Sequence, residues 1–61
     1  MKLFTERERK SFVNTINKLR EETGHQHSFI SRWMYENLKW IWINSKNTKE
    51  AKEWFKVDLG W

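Results

Sequence analysis

The chain has no cysteine, no proline and only two glycines, Gly24 and Gly60. Without cysteine, neither a disulfide framework nor a thiolate metal site can brace the fold, and the composition suits a reducing intracellular setting. Without proline, its turns are left to other residues, of which Gly24 is the best placed. Long apolar runs are also missing. The longest, residues 40–43, is four residues, which excludes a membrane span and a signal-peptide core and points to a cytoplasmic protein. Hydrophobic residues make up only 38% of the chain, so a core must come from few, large side chains.

Those side chains are present. Five Trp, four Phe and one Tyr stand among 61 residues, and each aromatic ring buries roughly 150–250 Å². That suffices for one small domain over residues 1–61, close to the lower size limit for an unstapled fold. It exceeds what a few enclosed positions hold, so some rings are expected to face a partner. Twelve Lys and Arg against eight Asp and Glu leave a net charge of +4, which favours anionic partners, nucleic acid above all.

The pattern predicts a mainly α fold of three helices. Thr5 with Glu8 forms a capping box in which the carboxylate returns to the cap residue's own amide, starting a helix at Glu6. Phe12, Val13, Ile16 and Leu19 recur at helical spacing, and Gly24 supplies the left-handed residue that ends it. Ser28 is placed to cap a second helix with Phe29, Ile30, Trp33, Met34 and Leu38 on its inner side. Residues 39–43, KWIWI, read equally as a continuation of that helix or as a short strand whose Trp and Ile side chains alternate. Asn47 with Glu50 repeats the cap for a third helix that turns Ala51, Trp54 and Phe55 inward, and Phe55, Val57, Leu59 and Trp61 carry a strand-like alternation.

Residues 19–33, LREETGHQHSFISRW, combine a glycine at a turn with the apolar pair Ile30 and Trp33 and short polar or basic residues near the second helix. Such a pair of helices, locked by a tight turn, presents side chains to base edges in the major groove. The stretch resembles helix-turn-helix DNA-binding regulators, and the segment after Trp33 resembles the excisionase and MerR-like branch. In that resemblance, residues 39–43 are the wing strand and residues 47–55 the closing helix with Trp54. It implies double-stranded DNA as partner, with Gln26, His27, Ser28, Ser31 and Arg32 at the bases or backbone and Lys39, Lys46 and Lys49 on flanking phosphates. One small domain offers few such contacts, so a homodimer or a second DNA-binding protein is expected. Arg20 and His25 depart from the family pattern, which has small and apolar residues there.

A second reading rests on the tryptophans alone. Trp and Arg dominate binding hot spots, and residues 38–43 are too apolar all round to be enclosed by so small a fold. Trp40, Trp42, Trp54 and Trp61 then form a face that docks a partner protein, as a small inhibitor or adaptor does. The two readings are separable: a DNA reader buries Trp33 and exposes Ser31 and Arg32, whereas a protein binder exposes Trp40 or Trp42 in a contiguous patch. Base stacking on exposed Trp is a third possibility. His25 and His27 beside Glu21 and Glu22 lack a well-spaced third ligand, and no serine has an oxyanion-hole turn beside it. No metal, cofactor or enzymatic activity is expected.

Overall fold

Thr5 caps the first helix as its spacing predicts, with its Oγ1 accepting from the Glu8 amide at 3.2 Å. The computed structural model describes residues 4–61, and within them the chain forms α1 (Glu6–Thr23), α2 (Arg32–Asn44) and α3 (Thr48–Leu59). The architecture is therefore mainly α, and the described residues include no strand. The Glu8 carboxylate departs from the expected box. Its Oε2 accepts from Nε1 of Trp42, 34 positions away, at 2.9 Å, and so ties the first turn of α1 to the last turn of α2.

Residues 39–43 are helical, which settles the ambiguous segment against the strand. The two geometries place Trp40 and Trp42 differently: strand neighbours two apart share a face, whereas in a helix they diverge by about 200°. Trp42 is 1% exposed and Trp40 56% exposed, and Leu38 and Trp42 continue a buried stripe that includes Met34, Tyr35, Ile41 and Ser45. The end of the chain is likewise helical to Leu59, which overturns the strand-like reading from Phe55 onward.

The second helix starts later than Ser28. Ser31 caps it, its Oγ accepting from the Met34 amide at 3.3 Å, while Ser28 lies in a turn whose amide donates to the His25 carbonyl at 3.1 Å. Ile30, just before the cap, is 6% exposed and pins the incoming link to the core. Trp33 sits five positions before Leu38, about 140° around the helix, and is 80% exposed; Phe29, outside the helix, is 86% exposed. Both were expected on the inner side; the later helix start leaves Phe29 outside the helix, and the phase of Trp33 relative to Leu38 and Trp42 turns it outward.

The core gathers Phe12, Ile16 and Leu19 of α1, Ile30 of the link, Leu38 and Trp42 of α2, and Ala51 and Phe55 of α3. Phe12 is its hub. Its ring meets those of Phe4, Tyr35, Trp42 and Phe55 edge-on at centroid distances of 5.5, 6.5, 5.8 and 5.9 Å, the arrangement that the ring quadrupole favours. The α3 backbone packs closely on both other helices. The seam between α1 and α2 is filled largely by these side chains.

Two helices end identically. Gly24 and Gly60 take φ of 77° and 74°, and the next amide in each case, His25 or Trp61, donates back to Arg20 or Lys56 at 2.9 Å. This is the six-to-one bond of a Schellman end. The two residues after the glycines then stack on each other, with ring centroids 5.0 Å apart and planes 13° from parallel. Beside them Lys52 Nζ donates to Glu22 Oε2 at 2.8 Å. That hydrogen bond from Lys52, aided by the charges of Lys52, Lys56 and Lys18, holds the Glu22 carboxyl below the usual glutamate value.

Candidate functional site

Of the five tryptophans, Trp42 is spent in the core and Trp61 is half-buried against His25. Both were expected on the partner face, and for Trp42 the burial is a correction with a clear cause: its place one turn after Leu38 continues the α2 stripe that packs toward Phe12 and Phe55. Its indole N–H is taken by Glu8. The exposed set is Trp33, Trp40 and Trp54, at 80%, 56% and 54%.

Helical spacing aligns the first two, and a shared groove joins Trp54 to them. Trp33 and Trp40 are seven apart on α2, two turns or about 10 Å along one face, and line an open depression with Arg32, Glu36 and Asn37. Trp40 continues into a second groove of about 250 Å³, shared with Ile41, Asn44 and Ser45 and with Glu50 and Trp54 of α3. A tryptophan face thus runs down α2 and crosses to α3. Its rings stack on no other aromatic ring among the described residues.

The groove is fixed by caps at the α2–α3 link. Asn47 Oδ1 accepts from the Glu50 amide at 2.8 Å, and Glu50 Oε2 accepts from the Lys46 amide at 2.7 Å. Asn44 Nδ2 donates to the Trp40 carbonyl at 2.8 Å, and Ser45 Oγ to that of Ile41 at 2.6 Å. On α3, Glu50, Trp54 and Asp58 succeed one another at four-residue steps and so share one side of the helix. Lys52 and Lys56 lie elsewhere, toward Glu22 of α1.

The residues expected to read DNA are not brought together in this way. Eight residues, 24–31, separate Thr23 from Arg32, where a helix-turn-helix uses three or four. Gln26 lines a shallow groove on α1 with Asn17, Arg20 and Glu21, His27 is exposed in the link, and Ser28 is half-buried there. Ser31 is committed to its capping role. Arg32 stands exposed beside Trp33. Lys39 Nζ lies 5.3 Å from the Phe4 ring centre and 5.9 Å from that of Trp40, while Lys46 and Lys49 are exposed at the α2–α3 link and the start of α3. Arg20 Nε is buried without a hydrogen-bond partner among the described residues.

Trp33 is the exposed residue of this face that the sequence pattern places in the core. The signal for it lies in the α2 register: Trp33 shares a phase with Trp40 and opposes Leu38. Elsewhere, His25 is engaged with Trp61 and Glu22 with Lys52, and among the described residues no three His, Asp or Glu side chains are grouped to hold a metal ion. No helix among them is long and apolar enough to cross a membrane. Comparison with protein-family models, curated proteins and solved structures returns no match for this chain.

Proposed function

We propose that this chain is a non-enzymatic intracellular binding module that docks a partner protein through Trp33, Trp40 and Trp54 and thereby blocks or redirects it. The observation that carries the reading is the continuity of the face: three indoles, each more than half exposed, line two adjoining grooves. At their exposures they present on the order of 400 Å² of aromatic surface, about half of the ~800 Å² that one partner contributes to a standard interface. A patch of that size is in the range of the largest apolar patch on a typical monomer, which is often functional, and rigid aromatic rings bind with little loss of side-chain freedom. The exposure of Trp33 and the eight-residue link favour this reading over the DNA-reading one, which calls for a buried Trp33 and a tight turn.

The test combines two measurements on the full chain. Affinity capture with identification of the bound protein is made with the wild type, a Trp33→Ala/Trp40→Ala double variant and Arg32→Ala. The same proteins are titrated into labelled double-stranded DNA at low salt. The reading requires one protein partner that the tryptophan variant loses and Arg32→Ala keeps, together with no DNA binding at micromolar concentration. DNA binding that falls steeply with salt and with Arg32→Ala would instead establish the helix-turn-helix reading.

A further inference from the structure

Within the proposed docking face, we infer that the groove between Trp40 and Trp54 is a seat for a single lysine or arginine side chain of the partner protein. This rests on the docking reading and specifies its chemistry. A tryptophan from each of two helices and the acidic residue Glu50 line the same space. Indole faces attract cations through the ring quadrupole, Trp most strongly, and a carboxylate in the same groove adds direct charge attraction. One Glu50 oxygen is occupied by the Lys46 amide. The other, Oε1, has no partner among the described residues and is the atom offered to the ligand.

The lining of the groove selects for positive charge. Although the chain carries +4 overall, the side of α3 that bears Trp54 carries Glu50 and Asp58 one turn before and after it, with exposed Glu53 adjacent. Lys52 and Lys56 turn toward Glu22 instead; Lys39 near Trp40 and exposed Lys46 and Lys49 beside Glu50 do not line the groove, whose one charged lining residue is Glu50. The local complement of this groove is therefore basic. Its volume of about 250 Å³ equals roughly eight waters, enough for a four-carbon stem and its charged head. Ile41 supplies apolar contact for the stem.

The experiment uses the ¹⁵N-labelled full chain and three capped pentapeptides, Gly-Gly-Lys-Gly-Gly and its arginine and norleucine counterparts, followed through the tryptophan indole N–H signals. The lysine and arginine peptides should shift Trp40 and Trp54 saturably while leaving Trp33 and buried Trp42 in place. The uncharged norleucine peptide should bind about 5-fold more weakly, the ratio set by one exposed cation–π contact and one exposed ion pair. Glu50→Gln, which keeps an oxygen for the Lys46 amide, should weaken the lysine peptide about 3-fold and leave norleucine unchanged. Trp54→Leu should weaken both cationic peptides further.

Equal affinity for lysine and norleucine, or no shift at about 20 mM peptide, would overturn the inference. So would movement of the same signals on dilution of the chain alone, since a second copy would then be the occupant. The two proposals fail separately. Loss of peptide selectivity with partner capture still dependent on Trp33 and Trp40 removes the cation seat and leaves the docking face. Selective peptide binding with no tryptophan-dependent partner keeps the seat and removes the docking reading.

Discussion

Replacing Trp42 by Phe isolates the contact that joins α1 to α2. The residue is 1% exposed and its indole N–H donates to Glu8 Oε2 at 2.9 Å. The substitution removes about 40 Å² of buried apolar surface, or about 1 kcal/mol. The space left behind costs about another 1 kcal/mol if the core does not collapse into it. Loss of a hydrogen bond to a charged group contributes about 1.5 kcal/mol at the lower end, partly offset because the half-buried Glu8 regains water. The expected loss is about 2–3 kcal/mol. A chain of this length has roughly 3–9 kcal/mol in all, so the variant folds but stands near the threshold.

Urea unfolding followed by far-UV circular dichroism reads this directly. With a slope of about 1 kcal/mol per molar for so small a domain, the midpoint should fall by about 2–3 M. Trp33→Phe, at a position 80% exposed, should stay within about 0.5 kcal/mol of wild type. Glu8→Ala removes the acceptor and should cost less than Trp42→Phe, and the double variant should fall short of the sum by about 1 kcal/mol. Equal midpoints for Trp42→Phe and Trp33→Phe, or strict additivity with Glu8→Ala, would refute the argument that this pair holds the two helices together.

The same geometry sets three further outcomes. Gly24→Ala and Gly60→Ala meet no atom within 4 Å, so each should cost only the left-handed backbone strain of about 1–2 kcal/mol, measurable as lowered urea midpoints with unchanged spectra. Because Glu22 has its pKa lowered on folding by Lys52, its stabilisation is present above the unfolded glutamate value and is lost as pH falls through the folded one. Thermal midpoints should therefore drop on acidification through that window, and by less in Lys52→Ala. Trp61→Ala should move the His25 ring-proton NMR signals downfield, since it removes the shielding of the stacked indole; unchanged His25 signals would refute the stack.

How much of this was legible depended on whether the deciding contact was local. Thr5, Gly24 and Asn47 act within a few residues of where they stand, and all three caps read correctly from spacing. Ser28 and Ser31 offer equivalent local caps three residues apart. The choice falls to which of Ile30 and Trp33 the core accepts, and that is a tertiary matter. KWIWI carries both periodicities until α3 supplies Ala51 and Phe55 to the core that Leu38 and Trp42 join. In the candidate site, Trp40 and Trp54 were readable as surplus aromatics. Trp42 was misassigned and Trp33 missed because both depend on the register of α2. The Glu8 to Trp42 bond, across 34 positions, leaves no trace in local pattern.

The position of α3 between the other helices also sets an order of assembly. The α2–α3 link is three residues, 45–47, so that hairpin closes with little loop entropy. α1 lies beyond an eight-residue link and contributes Phe12 to rings on both partners. Folding is thus expected to begin in the α2–α3 hairpin, with α1 docking afterwards. Mutations at Leu38 or Phe55 should slow folding, while those at Ile16 or Leu19 should mainly speed unfolding. On the ribosome the consequence is sharper: until α3 has emerged, α1 and α2 lack the Ala51 and Phe55 that complete their core, which closes only as that helix arrives.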